Sequence, residues 1–189
     1  WVRNDINFLT DADNNHLCLM LSAKDINQNK QEEQRIREAA KYDRMTGVLN
    51  RETAMEEIRR ILREEEDKGH SLYMLDVDNF KALNDTLGHQ TGDDFLIRLA
   101  GKLKESIRDT DVIGRIGGDE FFIFLRKVSD SALVESRAKQ LLSVISDVAQ
   151  NYLQVAVSGS IGISRYPEHG TDLDTLYAKA DEALYEAKH

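Results

Sequence analysis

Residues 112–125 read VIGRIGGDEFFIFL, two apolar runs separated by a pair of glycines and two acidic residues. The runs Val112–Ile116 and Phe121–Leu125 have the length and the β-branched and aromatic content of strands. Glycines between two such runs are typical of the tight turn of a β-hairpin. The stretch therefore predicts a hairpin that carries Asp119 and Glu120 at its tip.

Helical and extended patterns alternate on both sides of this hairpin. Gly92–Ile107 has apolar residues at helical spacing, and Thr91 and Asp94 resemble a capping box at its start. Strands are predicted at Ser71–Val77 and Leu153–Ser164, and further helices at Glu52–Glu66, Asn79–Leu87, Ser131–Gln150 and Leu173–Lys188. The pattern predicts an α/β sandwich with a mixed sheet.

The composition narrows the functional classes. The 189 residues include 34 acidic and 25 basic side chains, a formal net charge of −9, which argues against a general DNA- or RNA-binding protein. The longest apolar runs have five residues, whereas a membrane span needs about 20, so no membrane contact is expected within this sequence. Cys18 is a single cysteine, which excludes an internal disulfide.

The first 42 residues differ from the rest. Residues 2–9 and 16–24 read as two strands joined by a turn-rich stretch. Asp25–Tyr42 is rich in helix formers and lacks Gly and Pro, so it predicts a polar helical connector. Because two strands alone are marginally stable, residues 1–24 are either the end of a larger domain or are attached to the main one.

Two pairs of acidic residues are candidates for chemistry. Asp76 and Asp78 follow the predicted strand Ser71–Val77, and Asp119 and Glu120 lie at the hairpin tip. Carboxylates in such places can converge on Mg²⁺, which commonly binds one or two carboxylates together with substrate phosphates. The alternative is that these side chains are simply solvated, and spacing alone does not separate the two interpretations.

Other motifs for phosphate or metal binding are missing from the sequence. No GxxxxGK[ST] occurs, which excludes a P-loop, and the hairpin glycines do not form GxGxxG. His89 and His169 have no HExxH or equally spaced partners, so a zinc site is not expected.

Five ordered segments resemble the GGDEF-domain diguanylate cyclase family. They are GGDEF at Gly117–Phe121, DRMTGVLNR at Asp43–Arg51, LDVDNFKALNDTLGHQTGD at Leu75–Asp93, SGSIGIS at Ser158–Ser164 and ADEALYEAK at Ala180–Lys188. The resemblance implies a cyclase domain at 43–189 that joins two GTP molecules into cyclic di-GMP. It also implies the palm-like fold of nucleotidyl cyclases, with a mixed, mainly antiparallel sheet flanked by helices.

The resemblance assigns roles to individual residues. Two Mg²⁺ ions per active site would be held by Asp76, the Val77 carbonyl, Asp119 and Glu120, and Asp119 would also accept a proton. Gly117 and Gly118 would let the phosphates approach the backbone. Lys81 and Lys188 match phosphate-contacting positions, with Lys81 stabilising charge during catalysis, although outside these motifs each would be interpreted as an exposed helix cation. The family pattern continues past Lys188 with a phosphate-contacting arginine that this sequence does not reach.

Two further pairs have implied binding roles. Asn84 and Asp93 match base-binding positions, and a carboxylate can accept hydrogen bonds from the N1–H and amine of guanine. The alternative is that Asp93 only caps a helix. Arg108 and Asp111 form an R-x-x-D that precedes Gly117 at the spacing of the family's product-inhibition site. The alternative is a solvated charge pair at a helix end.

The expected partners are GTP, cyclic di-GMP and a second copy of the chain, because a symmetric product of two nucleotides needs two facing sites. Residues 1–24 followed by the connector at 25–42 resemble the end of a PAS-like sensor domain. The resemblance implies a cytoplasmic location, alone or as the cytoplasmic part of a larger receptor. One alternative is a catalytically silent GGDEF module that senses GTP or cyclic di-GMP. Another, a cyclase that also uses ATP, is disfavoured by Asp93.

Overall fold

The structure is a computed structural model that describes residues 2–10, 16–25, 41–152 and 155–188. The chain divides into two compact units, residues 1–40 and 41–189. Among the described residues, no helix combines the length and the apolar character that crossing a membrane requires.

The first unit contains an antiparallel pair of strands, β1 (Val2–Thr10) and β2 (His16–Asp25), as predicted. The helix predicted at Asp25–Tyr42 has the wrong bounds at both ends. Asp25 is the last residue of β2 because it still pairs with β1, and Tyr42 forms an isolated antiparallel bridge with Leu49. Residues 26–40 of that helix lie outside the described residues. The sensor domain proposed for this end of the chain stays a prediction.

The second unit contains one sheet with helices between its strands. Its elements are β3 (Leu49–Asn50), α1 (Arg51–Glu64), β4 (His70–Asp78), α2 (Phe80–Leu87), α3 (His89–Glu105), β5 (Val112–Gly117), β6 (Glu120–Leu125), α4 (Ser131–Ala149), a 3₁₀ turn (Gln150–Tyr152), β7 (Ser158–Tyr166) and α5 (Leu173–Ala187). The sheet order is β3-β5-β6-β4-β7, and β3–β5 is the parallel pair while the other described pairings are antiparallel. The prediction of a mixed, mainly antiparallel sheet is confirmed.

Both faces of the sheet are covered, which explains why the central strands read as continuous apolar runs. Leu75 and Ile123 point to one face and pack in a core with α2, α3 and α4. Their neighbours Met74 and Phe124 point to the other face and pack with α1 and α5. The period-2 alternation of a strand therefore supplies two separate cores.

The start of α3 differs from the prediction. The helix begins at His89, and Gly88, at φ 87°, both ends α2 and precedes α3. The proposed capping box is wrong, because Thr91 lies inside the helix and its hydroxyl donates to the Leu87 carbonyl at 2.8 Å. Gly88 joins two helices so abruptly because its positive φ is accessible to glycine at little cost.

The last strand is shifted from its predicted bounds. β7 begins at Ser158 rather than at Leu153, since its pairing with β4 starts where Asp78 lies opposite Ser158. It continues to Tyr166, opposite His70. The two-residue strand β3 was not predicted, because it is too short for any periodicity to be recognised.

Candidate active site

The end of β4 places acidic residues against both neighbouring strands. Asp76 lies opposite Glu120 of β6 and opposite Ser160 of β7 in the sheet register. Asp76 is only 6% exposed. Like charges directly opposite each other across an antiparallel pair are unfavourable unless a cation lies between or beside them. A cation close to Asp76 and Glu120 would therefore stabilise this end of the sheet.

The hairpin tip between β5 and β6 leaves space for a ligand. Gly118 has φ 54°, a left-handed conformation that favours glycine, and a Cβ at Gly117 or Gly118 would meet no heavy atom within 4 Å. The pairing of the two strands is irregular between Arg115 and Gly117. An open, side-chain-free turn beside Asp119 and Glu120 permits close approach of a bulky anion.

An arginine fixes this turn to the start of the domain. The Arg115 guanidinium donates to the Gly118 carbonyl from Nε (3.0 Å) and Nη2 (2.6 Å), and Nη1 donates to Asp43 Oδ1 at 3.0 Å. Asp43 Oδ1 also accepts from the backbone N–H (2.9 Å) and the hydroxyl (2.6 Å) of Thr46. Burial favours protonation of Asp43, but the bonds from Thr46 and Arg115 outweigh it and lower the pKa of Asp43.

These contacts give Asp43, Thr46 and Arg115 a structural role that the sequence motifs alone do not assign to them. The contact between Asp43 and Thr46 could have been predicted from the sequence, because an Asp with a Thr three residues later is typical of a side-chain-to-backbone turn. The long-range partner, Arg115, carries no such signal.

The electrostatics of the site reflect its crowded carboxylates. Burial, and then the charge of Asp76, raise the pKa of Asp119. Burial, Asp76 and then Asp119 likewise raise the pKa of Glu120. Lys188 Nζ lies 2.6 Å from Asp76 Oδ1, and although burial opposes it, this contact raises the pKa of Lys188. An ammonium group thus already supplies part of the positive charge that the carboxylates favour.

The donor set fits a hard cation. Asp76, Asp119 and Glu120 offer only oxygen atoms, the ligands that Mg²⁺ prefers. Within the described ranges, no three His, Cys, Asp or Glu side chains are grouped closely enough to bind a metal by themselves. A metal here would need further oxygen ligands, such as the backbone carbonyl of Val77 and the phosphates of a substrate.

A cavity of about 570 Å³ gathers most of the predicted catalytic residues. Its lining comprises Asp76, Val77, Asp78, Asn79, Phe80, Lys81, Asp119, Ser160, Ala187 and Lys188. Glu120 is not part of this lining, although it lies opposite Asp76 in the sheet. The cavity brings both predicted phosphate-binding lysines to the carboxylates.

The two predicted base-binding residues lie together on a different pair of elements. A Cβ added to Gly92 of α3 would lie 1.9 Å from Asn84 Oδ1, so the Asn84 side chain contacts α3 next to Asp93. Asp93 is exposed in α3, not at its first residue, so it does not cap the helix. Neither residue lines the cavity of the carboxylates.

The predicted product-inhibition residues also lie together. Asp111 Oδ2 accepts from the backbone N–H of Arg108, and its Oδ1 accepts from the backbone N–H of Arg126, both at 3.0 Å. Arg108 and Asp111 line a small cavity of about 20 Å³ with Arg137 of α4. The position of Arg137 beside this pair was not predicted, because a single arginine in an amphipathic helix cannot be distinguished by sequence from other solvated cations.

A larger cavity lies elsewhere. It measures about 920 Å³, lies along α1, and contains none of the predicted catalytic residues. It shares Asp111 with the product-inhibition pair and is lined by several charged side chains of both signs. Size alone does not identify the reaction site here, because the convergent carboxylates and lysines lie in the smaller cavity.

Comparisons with known proteins agree with this geometry. The family described as "Diguanylate cyclase, GGDEF domain" matches residues 40–189. The chain is 32% identical to the cyclic di-GMP phosphodiesterase PdeR of Escherichia coli, over 92% of this chain and 26% of PdeR. It is also 32% identical to the diguanylate cyclase DgcM of the same organism, over 92% of this chain and 41% of DgcM.

A solved structure shares the fold. The GGDEF domain of DgcB from Caulobacter crescentus, in complex with cyclic di-GMP, superposes with a TM-score of 0.68 at 26% identity, covering 79% of this chain and 88% of that one. The chain spans less than half the length of either of these curated relatives. The family match covers the sheet, its helices and every predicted site residue, and with this palm-like fold it shows that the chain belongs to the GGDEF domain family.

Proposed function

We propose that this protein is a diguanylate cyclase, which condenses two GTP molecules into cyclic di-GMP and releases two pyrophosphates with the help of Mg²⁺. The observation that carries the proposal is the arrangement around Asp76. This buried carboxylate lies opposite Glu120, in one cavity with Asp119, and pairs with Lys188. Such a cluster suits a polyphosphate that arrives with divalent cations.

The proposed metal ligands are the carboxylates of Asp76, Asp119 and Glu120 and the carbonyl of Val77. When bound, Mg²⁺ neutralises the triphosphate and lowers the pKa of the attacking 3′-hydroxyl. The 3′-oxygen of each GTP forms a bond to the α-phosphorus of the other. Each of these bonds replaces the bond between that phosphorus and pyrophosphate, so the ring closes and two pyrophosphates leave. Asp119 is the proposed acceptor of the hydroxyl proton.

The chain's own cations complete the charge balance. Lys81 and Lys188 line the cavity from the start of α2 and the end of α5. Their proposed role is to hold the phosphates and to stabilise the charge that spreads over them as the bond breaks. Gly117 and Gly118 leave the adjoining turn open to the substrate.

Guanine recognition is assigned to Asn84 of α2 and Asp93 of α3; the Asn84 side chain packs against Gly92, the residue before Asp93. The Asp93 carboxylate can accept from both N1–H and the exocyclic amine of guanine, a donor pair that adenine lacks. Discrimination against ATP therefore depends on this acceptor.

The reaction requires two copies of the domain. Each domain has one set of metal and base ligands, while the product joins two identical nucleotides. A two-fold homodimer that brings two sites face to face satisfies this requirement. Feedback inhibition is assigned to Arg108 and Asp111, whose guanidinium and carboxylate can bind the guanine of the product.

A second candidate function is a silent GGDEF module that binds GTP or cyclic di-GMP without turnover. The relative named as a cyclic di-GMP phosphodiesterase, which aligns with 92% of this chain, favours it. The retention of Asp76, Asp119 and Glu120 supports the cyclase instead.

The deciding experiment incubates the purified protein with Mg²⁺ and GTP, then with ATP added, and identifies the products by mass spectrometry. Cyclic di-GMP from the wild type, and none from folded Asp119→Asn, supports the cyclase. Tight binding of GTP without pyrophosphate release, at concentrations where the protein is dimeric, supports the sensor and overturns the cyclase.

A further inference from the structure

One acidic residue of the cavity has no role in the proposed reaction. Asp78 is the last residue of β4, and the turn that follows it leads through Asn79 to Lys81. Val77, whose carbonyl is a proposed metal ligand, comes immediately before it. The path of this short stretch therefore decides where one proposed metal ligand, the Val77 carbonyl, and one proposed phosphate contact, Lys81, lie.

Both carboxylate oxygens of Asp78 are engaged by β7. The Ser158 hydroxyl donates to Oδ2 at 2.8 Å, and the Ser160 hydroxyl donates to Oδ1 at 2.9 Å. Ser158 lies opposite Asp78 in the register and Ser160 opposite Asp76. Two serines on the same face of β7 thus hold one carboxylate, with one hydrogen bond to each of its oxygens.

The glycine between these serines makes the contact possible. A Cβ at Gly159 would lie 2.2 Å from Ile145 Cδ1 and 3.3 Å from the Asp76 carbonyl. The Ser-Gly-Ser pattern therefore places hydroxyls on the cavity face and no side chain on the face that packs against α4. This accounts for a segment that the proposed catalytic mechanism does not use.

The next residue anchors the turn a second time. Asn79 has φ 62° and ψ 17°, and its side chain makes no capping bond to α2. Instead, its Nδ2 donates to the Ala156 carbonyl at 3.1 Å, just before β7. Asn tolerates the left-handed conformation better than most residues. Asp78 and Asn79 thus fasten consecutive residues of the turn to one neighbouring segment.

We infer that Asp78 is a positioning residue, held by Ser158 and Ser160, that fixes the turn presenting the Val77 carbonyl and Lys81 to the substrate. The inference rests on the proposed function for what the turn presents. Asp78 acts through the serines and is not itself a metal ligand. A rigid support of this kind keeps substrate contacts within the narrow tolerance that catalysis requires.

The test compares Asp78→Ala, Asp78→Asn, Ser158→Ala/Ser160→Ala and the variant that combines the serine changes with Asp78→Ala. Ser143→Ala is the matched control, because its hydroxyl also donates a hydrogen bond, but to the backbone carbonyl of Gln140 within α4 and not to Asp78. The first measurement is hydrogen–deuterium exchange at the amide of Leu83, which donates to the Asn79 carbonyl at 3.1 Å; this measurement needs no turnover. The second is the affinity for GTP in the presence of Mg²⁺, together with kcat and KM for cyclic di-GMP synthesis.

We expect exchange at Leu83 to be about tenfold faster in Asp78→Ala and in the double serine variant, and unchanged in Ser143→Ala. Asp78→Asn should restore part of the protection, since its amide can still bond to the serines. Removing Asp78 in the double serine background should add little to the loss of GTP affinity, because the groups act as one unit.

The outcomes separate this inference from the proposed function. Unchanged exchange in the double serine variant overturns it, whether or not the wild type is active. A further large loss of affinity when Asp78 is removed in that background also overturns it, since Asp78 would then contact the metal directly. An inactive wild type whose turn loosens as expected overturns the cyclase and leaves the positioning role supported.

Discussion

Lys188 Nζ lies 2.6 Å from Asp76 Oδ1, so the last turn of α5 reaches the end of β4. The lysine follows the final residue of its helix, where the helix dipole favours a cation. If Lys188 binds the substrate phosphates as proposed, these phosphates compete with Asp76 for its ammonium group.

This competition leads to a prediction for Lys188→Met, which keeps much of the side-chain length but removes the charge. We expect KM for GTP to rise by about tenfold, the loss of one charge-assisted contact to phosphate. The control is Lys179→Met, because Lys179 lies on the same helix and pairs with the exposed Glu182. Steady-state kinetics across a range of GTP concentrations provide the measurement. Equal KM values for the two variants would show that Lys188 does not bind substrate.

The Asp43–Arg115 pair should contribute more to the free energy of unfolding than an ordinary surface ion pair does. Its side chains are 25% and 13% exposed, and Asp43 also holds Thr46. We expect Asp43→Asn to lower the free energy of unfolding by about 1–3 kcal/mol and to reduce kcat, because the hairpin turn loses an anchor. Urea denaturation and initial rates measure the two effects.

The matched control for that prediction is Asp174→Asn. Asp174 pairs with Arg59 at 2.9 Å, but the two side chains are 77% and 42% exposed. An exposed pair contributes at most about 1 kcal/mol. Similar losses in the two variants, with kcat unaffected in both, would contradict a link between the domain entry and the catalytic turn.

A buried histidine predicts how stability depends on pH. His70 is fully buried, with Nδ1 accepting from the Lys127 backbone N–H (3.2 Å) and Nε2 lying 3.3 Å from the Glu65 carbonyl. Burial lowers the pKa of His70, which the Glu65 contacts oppose and the charges of Arg126 and Lys127 reinforce. Protonation at Nδ1 would also remove the acceptor that Lys127 uses.

The sign follows from proton linkage. Because the folded pKa lies below the ordinary value of 6.5, the unfolded chain binds the proton first. The contribution of neutral, buried His70 to the free energy of unfolding is complete above pH 6.5, and it is lost as the pH falls through the pKa of the folded state. Glu65, whose pKa the Arg126 hydrogen bond lowers to about 2, loses its contribution only at more acidic pH. Urea denaturation at pH 7.5 and 5.5 should show lower stability at pH 5.5, with a smaller difference in His70→Gln. Equal differences in both proteins would assign the effect to other groups.

The parts of the fold predicted correctly are those with a local signature. The hairpin at 112–125 and the strand β4 were predictable because period-2 and apolar-run patterns do not depend on distant residues. The carboxylates Asp76 and Asp119 were found because they follow recognisable strands. Their roles came from the resemblance to a family.

The errors and omissions concern contacts between distant segments. The start of α3 was misplaced because Gly88, which looked like a simple helix end, separates two helices with no intervening loop. Arg115, Ser158 and Ser160 act through partners far away in the sequence, and no periodicity records such pairing. Tertiary contacts of this kind can be identified only in the folded structure.

Two glycines provide opposite predictions for the same substitution. A Cβ at Gly162 of β7 would lie 2.0 Å from the Ala180 carbonyl and 2.3 Å from the Leu184 nitrogen, both backbone atoms of α5. Gly162→Ala should therefore destabilise the protein by about 3 kcal/mol or more, because the helix must move. A Cβ at Gly101 of α3 meets nothing within 4 Å, so Gly101→Ala should stabilise by about 0.5–1 kcal/mol. Urea midpoints of the two variants, compared with wild type, test the packing of α5 on the sheet.

The final prediction concerns product feedback at Arg108 and Asp111. Arg108→Ala removes the exposed guanidinium but keeps the backbone N–H that donates to Asp111, and Arg126 continues to donate to the other oxygen. The variant should therefore fold normally with its carboxylate in place. Loss of two parallel hydrogen bonds to guanine should weaken inhibition by about tenfold or more.

The measurement is the initial rate at rising cyclic di-GMP, normalised to the uninhibited rate of each protein, with product affinity from calorimetry. Arg98→Ala is the control, since Arg98 is an exposed arginine of the same chain segment, on α3, that lines a different cavity. We expect Arg98→Ala to be inhibited like wild type and Arg108→Ala to require much more product. Inhibition and product binding as tight in Arg108→Ala as in wild type would place the regulatory site elsewhere. Weakened product binding with unchanged inhibition would show that this pair binds cyclic di-GMP without controlling the two active sites.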